Sequence, residues 1–550
     1  MLSQSRRVPW WVAMALAIAA CADDGAAPLQ VETTEPLDLA VEVSPDAEVT
    51  LTFSEPLDAS TVTTDTVEVR HEGGTTMGGS WRVEGSTATF TPDLPFALMS
   101  TYEATVSPAV TSEAGGRLER AASSSFTVRE GAWGIAERIQ INDPGSVAQG
   151  VPPSVVFDPT GGALVVWSQE NEAGLDSIWS SRFVDGTWTA AELLENDDVH
   201  DAGGAHVAID ASGNAVAVWH QSDGNEFSVW ANRFVDGAWG TAELLENDDT
   251  AQALAPRVAL DAAGNGLVSW TRLEEIEVPE VPPESWPAEA SVWATRLVDG
   301  AWGTPEALEQ DPLLAPFATE VVLDAAGNGL VVWNGADTSS FYLHAARYAD
   351  GEFAPTERID APAPTPITLA QVQVALDPSG NGMAVWMEGG ALWARPFAEG
   401  SWGDAEIIEG EDPIDGLPQL ALGPNGNGLV VWETLGTHPI DSLFAKPLVD
   451  GQWGAAERIA EVDVSGASAG LFHEVAVDAS GNGVVVWRQP EGPRTSVLRA
   501  RRFANGAWGS ERRFETNDPD VARSQIAFDP AGRAIAVWGT NRSLWADRFE

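Results

Sequence analysis

The sequence of 550 residues has few basic side chains, one lysine (Lys446), one cysteine (Cys21) and three tyrosines. Lysine and arginine together number 29 against 82 aspartates and glutamates, and the formal net charge is −53. This balance argues against binding to nucleic acid, because the phosphate backbone recruits basic side chains. It also argues against adhesion to an anionic membrane surface. With a single cysteine, the chain can form no internal disulfide.

Long apolar runs are also missing, since no segment after the amino terminus has 18 consecutive apolar residues and no membrane-spanning helix is predicted. At the amino terminus, Arg6 and Arg7 precede an apolar run from Val8 to Ala20 that is too short to span a bilayer. This is the layout of a secretory signal.

The stretch Ile18-Ala19-Ala20-Cys21, at the end of that signal and the residue after it, resembles the lipobox of bacterial lipoproteins. The resemblance implies that residues 1–20 are removed and that Cys21 is lipidated. The alternative is a plain signal peptide with an incidental cysteine. We expect an exported protein, anchored by lipid in the bacterial cell envelope at the outer membrane or cell surface. Its membrane contact would be made through the lipid alone.

Residues 21–36 are polar and mixed, and we interpret them as a tether. From 37 to 128, short alternating apolar and polar segments are separated by Pro, Asp, Gly and Ser, which predicts a β-sandwich. The segments VTLTFSEPLDASTV and TATFTPDLPFALMSTYEATVSPAV resemble the bacterial Ig-like domains of S-layer and surface proteins. That resemblance implies an Ig-like sandwich that serves as a spacer.

Residues 131–550 repeat one unit eight times, at a length that suits a four-stranded propeller blade. A turn motif, typically Asp-x-x-Gly-Asn-Gly, is followed by an apolar strand that ends in tryptophan: Trp167, Trp219, Trp270, Trp333, Trp386, Trp432, Trp487 and Trp538. A second motif places tryptophan after an acidic-Gly turn at Trp133, Trp188, Trp239, Trp302, Trp402, Trp453 and Trp508, with Phe353 in the remaining copy. A third set lies in the segment between these two motifs, at Trp179, Trp230, Trp293, Trp393 and Trp545. We predict an all-β chain with an eight-bladed β-propeller whose recurring indoles pack between the blades.

Each blade is expected to have four strands, A to D, joined by two short turns. In the A–B turn an Asp or Asn side chain bonds nearby backbone N–H groups and Gly supplies a positive φ. Asp-Gly between strands C and D predicts a two-residue hairpin. A two-residue loop at Asp185-Gly186 places Phe183 opposite Trp188, and the same count pairs Phe234 with Trp239 and Phe503 with Trp508.

The repeats begin with a D-type strand, 133–139, and end with a C-type strand, 543–549. We therefore expect the first strand to complete the last blade, a closure that leaves no exposed sheet edge.

The loops between strands D and A and between B and C vary from copy to copy, so any binding site is expected on their side of the propeller. The D–A loops open with acidic residues that we take as candidate binding residues: Asp143, Asp197, Asp198, Asp248, Asp249, Asp311, Asp412, Asp463 and Asp518. Around a pore they would hold Ca²⁺ through oxygen ligands or favour a cationic partner. The alternative is that they only end strands and solvate loops.

Two further loop features are candidates. Trp286 lies in an acidic, proline-rich loop from Glu274 to Glu289 and is either a contact residue or folded back onto its blade. His200, with Asp197, Asp198, Asp201 and His206, forms the only local cluster in the sequence that resembles a metal site, but its spacing matches no zinc pattern.

No catalytic residue is assigned, because the sequence contains no G-x-S-x-G, H-E-x-x-H, P-loop or dinucleotide-binding motif. A sialidase is disfavoured because the Asp turn lacks the Asp-box spacing and only Tyr342 and Tyr348 are available as nucleophiles in the repeats. We expect a monomeric binding scaffold for a protein or glycan ligand, with no organic cofactor. The alternatives are a glycoside hydrolase or lyase with acidic residues in the central pocket, or a structural envelope component.

Overall fold

The computed structural model describes residues 27–550 except for 72–73, 75, 140–146, 148–150, 172, 197–198, 247–250, 276–287, 310–318, 337–340, 361–371, 411–416, 435–439, 464–471, 493–494, 517–519 and 541–542. The signal segment and Cys21 lie outside the described residues. The chain divides into two compact units: Met1–Phe96 with Ser100–Arg129, and Ala97–Met99 with Glu130–Glu550. Each unit is described by itself.

The first unit contains two four-stranded sheets. One sheet has the order β1 (Val31–Glu35), β3 (Val49–Phe53), β6 (Thr87–Pro92) and β5 (Gly79–Glu84). The other has the order β2 (Ala40–Val43), β8 (Ala122–Val128), β7 (Thr101–Val106) and β4 (Val67–His71). A short 3₁₀ helix spans Ala59–Thr61. Alternate residues of β3, β6, β7 and β8 are buried. Phe96, Tyr102 and Phe126 pack with ring centroids 4.7–5.7 Å apart.

The tether boundary at residue 36 was placed too late. Val31–Glu35, inside the expected tether, forms β1 and pairs antiparallel with β3. β1 is an edge strand whose side chains are mostly half-buried or exposed. Its composition is therefore polar, and the sequence alone did not indicate a strand.

The second unit contains eight successive antiparallel sheets among the described residues. Their first strands are β10 (Ser154–Phe157), β15 (Ala202–Ile209), β20 (Gln252–Leu260), β25 (Thr319–Leu323), β30 (Gln373–Leu376), β35 (Gln419–Leu422), β40 (His473–Val477) and β45 (Val521–Phe528). Their second strands are β11 (Ala163–Glu170), β16 (Ala215–Ser222), β21 (Gly266–Glu275), β26 (Gly329–Ala336), β31 (Gly382–Glu388), β36 (Gly428–Thr434), β41 (Gly483–Gly492) and β46 (Ala534–Thr540). Their third strands are β12 (Asp176–Val184), β17 (Phe227–Val235), β22 (Ala288–Val298), β27 (Phe341–Ala349), β32 (Ala391–Ala398), β37 (Ile440–Val449), β42 (Thr495–Ala504) and β47 (Leu544–Phe549).

In seven of these sheets the outer edge consists of two short strands instead of the single strand D that we predicted. The pairs are β13 (Thr187–Trp188) with β14 (Glu192–Leu193), β18 (Ala238–Trp239) with β19 (Glu243–Leu244), β23 (Ala301–Trp302) with β24 (Glu306–Ala307), β28 (Glu352–Phe353) with β29 (Glu357–Arg358), β33 (Ser401–Trp402) with β34 (Glu406–Glu409), β38 (Gln452–Trp453) with β39 (Glu457–Asp463), and β43 (Ala507–Trp508) with β44 (Arg512–Arg513). The register along β12 advances by one residue between β13 and β14, as in a β-bulge. Such a break shortens the exposed edge of each sheet.

The eighth sheet takes its outer strand from the start of the unit. Strand β9 (Glu137–Ile139) pairs antiparallel with β47, which gives the order β45, β46, β47, β9. An isolated bridge joins Trp133 to Phe549 beside it. The first strand of the repeats and the last strand thus lie in one sheet, as the sequence predicted.

Both predicted turns have the expected chemistry. Asp210 Oδ1 accepts hydrogen bonds from the backbone N–H groups of Ser212 and Asn214, each at 2.8 Å, and Gly213 has φ of 83°. The Phe183–Trp188, Phe234–Trp239 and Phe503–Trp508 pairs are confirmed in register, with ring centroids 5.2–5.4 Å apart. The two-residue turn, Asp-Gly in the first two hairpins and Asn505-Gly506 in the third, therefore sets the aromatic pairing.

The eight repeat tryptophans of the second strands are at most 1% exposed. Trp270 packs against Val218 and Val229 of the preceding sheet, and Trp167 packs against Ile535 and Val537 of the last sheet. The core of the second unit therefore lies between neighbouring sheets.

Candidate functional site

The first strands of the eight sheets follow one another in a closed order of contacts. Each contacts the first strand of the next sheet, from β10 through β15, β20, β25, β30, β35 and β40 to β45, and β45 contacts β10. Among the described strands, each first strand pairs with the second strand of its sheet and lies at the edge of that sheet. The eight first strands therefore line one central space.

Each first strand contributes one polar side chain at the fourth position before the A–B turn. We call these residues the axial ring: Ser154, His206, Arg257, Glu320, Gln373, Gln419, Glu474 and Gln525. The next residue in each strand is Val, Leu or Ile and is associated with the apolar core, as Val207 and Val258 illustrate. Because successive side chains of a strand point to opposite sides, the ring residues face away from those apolar clusters.

Ring residues connect neighbouring sheets through direct contacts. The backbone N–H of Val207 donates to Ser154 Oγ at 3.2 Å, and the backbone N–H of Val258 donates to His206 Nδ1 at 3.4 Å. Arg257 Nε lies 3.9 Å from Glu320 Oε1. These contacts connect the first four sheets through their first strands.

The strongest electrostatic perturbation in the ring is at Glu474. Burial raises the pKa of this carboxyl to about 8, against the opposing effect of Arg523, while Glu320 raises it further and Arg257 lowers it. Glu474 lies in the seventh sheet, Glu320 in the fourth and Arg257 in the third, so charges from distant sheets act across the central space. A neutral carboxyl at pH 7 can donate as well as accept a hydrogen bond.

His206 and Glu320 are also shifted toward their neutral forms. Burial, with Arg257 as a second cause, lowers the pKa of His206 to about 3. Burial raises the pKa of Glu320, against the effects of Arg257 and a hydrogen bond with Gln373. Perturbed titrating groups that gather in one concave space are typical of functional sites.

Almost all of the candidate binding residues proposed from the sequence remain predictions. Eight of the nine aspartates (Asp143, Asp197, Asp198, Asp248, Asp249, Asp311, Asp412 and Asp518) and Trp286 lie outside the described residues. Asp463 is the last residue of β39, where it pairs with Ile440. Within the described ranges, no group of three or more His, Cys, Asp or Glu side chains is placed to hold a metal ion.

Sequence reasoning missed the axial ring although its signal was present. The fourth residue before the turn is polar in all eight copies and is always followed by Val, Leu or Ile. A repeat is recognised by residues that stay constant, whereas the ring varies in identity and stays constant only in polarity.

The two tyrosines considered as nucleophiles lie in the third strand of their sheet, β27, and not in a first strand. Tyr348 is buried against Phe353, with ring centroids 5.0 Å apart. Arg358 Cζ lies 4.2 Å from the ring centroid of Tyr342. Neither tyrosine belongs to the axial ring.

Clefts also open between sheets on the side of the short turns. One of about 400 Å³ is lined by Asp324, Asn328, Arg347, Asn381 and Glu399. Equivalent arginines in other sheets serve the fold, since Arg233 donates to the carbonyl of Gly300 at 2.5 Å and Arg296 donates to that of Gly351 in the next sheet. These clefts between sheets are separate from the central space and are secondary candidates for a site.

Comparison with known proteins identifies the first unit and gives a weaker likeness for the second. Residues 24–128 match the bacterial Ig-like domain family (Big_5). No curated protein matches the chain. Among the described residues, no helix has the length and apolar character needed to cross a membrane.

Several solved structures resemble the chain at low identity. The Dos1 propeller is 10% identical with a TM-score of 0.44, over 76% of this chain and 95% of that one. The intramolecular trans-sialidase from Ruminococcus gnavus is 11% identical with a TM-score of 0.33, over 72% and 94% of the two chains. The NanB sialidase from Streptococcus pneumoniae is 10% identical with a TM-score of 0.33, over 91% and 83%.

Proposed function

We propose that residues 131–550 form an eight-bladed β-propeller closed by β9 and β47, and that the first unit is an Ig-like sandwich that serves as its spacer. The propeller is supported by the closed order of contacts among the first strands. It is also supported by the packing of Trp167, in the first sheet, on Ile535 and Val537 of the last sheet.

The function that this arrangement supports best is that of a surface-exposed, lipid-anchored binding scaffold, whose ligand is a protein or a glycan. The observation that carries the proposal is the axial ring, in which side chains able to donate and accept hydrogen bonds face one space. Among the residues that the structure describes, the side chains of Gln419, Glu474 and Gln525 have no hydrogen bond and no ion pair within 4 Å. A ligand would supply the missing partners, since unpaired polar groups in a half-buried site are costly.

A glycan array and a pull-down with the full chain test this function. Wild type should retain a ligand, and Gln419→Trp, which fills the central space, should lose it while keeping its Tm. Gln452→Trp is the matched control, because Gln452 is exposed in the short outer strand β38. Gln419→Ala tests the same position without added bulk and should weaken binding. Retention of the ligand by all three variants would contradict an axial site.

A glycoside hydrolase or lyase is the second candidate, favoured by Glu474. A carboxyl with a pKa near 8 stays protonated at neutral pH, as a general acid must. Glu320 is the second carboxyl of the axial ring. Hydrolysis or cleavage of a polysaccharide by wild type, lost in Glu474→Gln and Glu320→Gln but kept in the exposed control Glu352→Gln, would establish the enzyme. If wild type cleaves none of the glycans that it binds, the enzyme is ruled out and the binding scaffold remains as the function.

Export and anchoring through Cys21 are proposed on the sequence alone. Labelling with an alkyne fatty acid should tag wild type at the cell envelope, and Cys21→Ser should be released in soluble form. Equal labelling of both proteins would contradict lipidation. Ca²⁺ binding by the D–A loops is likewise proposed, and a Tm that does not change between calcium and chelator would refute it.

A further inference from the structure

The charge on the central space differs from that of the whole chain. Two arginines, Arg257 and Arg523, and two glutamates, Glu320 and Glu474, act on one another there. The chain as a whole has 29 basic side chains against 82 acidic ones. In the central space arginines and glutamates are thus equal in number, without the acidic excess of the whole chain.

The two arginines differ in what they contact. Arg257 lies 3.9 Å from the carboxylate of Glu320. Arg523 Cζ lies 3.7 Å from the ring centroid of Phe472, and within the described part of the chain its side chain has no hydrogen bond and no ion pair within 4 Å. A guanidinium on an aromatic face keeps the N–H groups at its rim able to donate.

Arg523 belongs to the same strand as a ring residue. It precedes Gln525 by two positions in β45, next to an irregularity in the register of that strand, and its charge acts on Glu474. Strand β40, the neighbour of β45, contributes Glu474, and β35, the neighbour of β40, contributes Gln419. Three consecutive first strands therefore bring an arginine, a carboxyl and two amides to one sector of the central space.

At neutral pH this sector offers donors in excess. Arg523 can only donate, and Glu474 keeps its proton because burial raises its pKa to about 8. The side-chain amides of Gln419 and Gln525 can both donate and accept hydrogen bonds. An oxygen-rich anion complements such a set, and charge-assisted hydrogen bonds from a guanidinium are the stronger ones.

We propose that this sector, formed by Gln419, Glu474, Arg523 and Gln525, binds the carboxylate of an acidic sugar. Arg523 pairs with the carboxylate, Glu474 donates its proton to the same group, and the two glutamines bond sugar hydroxyls. A sugar fits the ring better than a peptide side chain does, because every ring position carries a polar group. The inference rests on the proposed function and specifies its ligand.

The binding should depend on pH through Glu474. The charges that act on this carboxyl are Arg523 from β45, Glu320 from β25 and Arg257 from β20. His206, also in the ring, is neutral in this range because its pKa is about 3. Once Glu474 ionises above pH 8, it repels the bound anion and no longer donates.

Calorimetric titration of the full chain with glucuronate, and with glucose as the matched neutral sugar, tests the inference. At pH 7 wild type should bind glucuronate at least about tenfold more tightly than glucose, since a charge-assisted bond is typically stronger by that factor. Arg523→Gln should abolish this preference. Arg458→Gln, which removes an exposed arginine paired with Glu461, should leave it unchanged.

Glu474→Gln tests whether the pH dependence of anion binding comes from the carboxyl of Glu474. This variant should bind glucuronate equally at pH 7 and pH 9, whereas wild type should lose affinity at pH 9. Equal affinity of wild type for glucose and glucuronate would overturn the inference. So would a preference that Arg523→Gln does not change. The glycan array could instead find neutral ligands whose binding Gln419→Trp abolishes. That result would support an axial binding site and refute only the proposal that its ligand is an acidic sugar. A peptide carboxylate bound more tightly than glucuronate would also refute it.

Discussion

Leu544, in the last strand of the chain, pairs with Ile139, in the first strand of the repeats. Ala546 pairs with Glu137 in the same ladder, and Trp133 lies with its ring centroid 5.6 Å from that of Phe549. These contacts join segments separated by some 400 residues of chain. Because loop-closure entropy must be overcome before such contacts form, the pairing of β9 with β47 is expected to form late in folding.

The first prediction concerns this closure. In a Cys21→Ser background, cysteines at Glu137 and Ala546 should form a disulfide under oxidising conditions, because the two residues are direct cross-strand partners. The bond closes a loop of some 400 residues and should raise the free energy of unfolding by about 2–4 kcal/mol. Thiol titration and urea unfolding measure both effects. Free thiols persisting in the oxidised folded protein would show that the two strands do not pair.

A second prediction distinguishes the two kinds of tryptophan. Trp270 is 1% exposed between sheets, whereas Trp302 is half-buried in a short outer strand. Trp270→Ala should cost about 3–5 kcal/mol of unfolding free energy, because it leaves a cavity in the core. Trp302→Ala should cost clearly less. Comparable losses in chemical unfolding would argue that the outer tryptophans carry the packing equally.

The third prediction uses two glycines of one hairpin. Gly237 has φ of 84°, whereas a Cβ at Gly240 would make ordinary contacts at 3.5 Å. Gly237→Ala should lower the free energy of unfolding by about 1 kcal/mol, because alanine is strained at positive φ. Gly240→Ala should have little effect. The reverse order would mean that the hairpin has another turn geometry.

Glu474 supplies a fourth prediction, on stability against pH. Its folded pKa of about 8 lies above the ordinary value of 4.5, so the unfolded chain releases this proton first as pH rises. The carboxyl therefore costs stability increasingly between pH 4.5 and 8. Glu474→Gln should stabilise the protein at pH 8 on the order of 2 kcal/mol, and little at pH 4.5. A pH-independent effect in urea unfolding would show that the carboxyl is not buried.

The fifth prediction concerns His220, for which stability is lost as pH falls and not as it rises. Burial lowers the pKa of His220 to about 4 from 6.5, so the unfolded chain takes up this proton first as pH falls. The stability that the neutral imidazole contributes is present above pH 6.5 and is lost between 6.5 and 4. His220→Gln should remove up to about 3 kcal/mol of this acid-dependent loss. Unchanged pH dependence of unfolding in the variant would contradict the burial of this histidine.

Much of the second unit could be predicted because its signals are local. The Asp-Gly turn fixes which residues of the hairpin pair, so the position of Phe183 opposite Trp188 followed from counting. The side chain of Asp210 finds its donors two and four residues away. Interactions of this range are encoded within one repeat and recur wherever the residues recur.

Other features escaped prediction because local composition misrepresents them. Strand β1 reads as a polar tether, yet pairing with β3 recruits it into a sheet. The break between β13 and β14 has no clear signal, because a bulge depends on how an outer strand follows the twist of its neighbour. In both cases the partner strand decides the structure.

The sequence by itself determined the eight repeats, the turns and the tryptophans that would be buried, since each depends on residues a few positions apart. Only the tertiary structure decided that Glu474 and Arg257, four sheets apart, act on each other and that Arg523 is left to donate beside them. The physical reason is that periodicity fixes the side of a strand on which a residue lies. What occupies the space on that side depends on all the strands that enclose it.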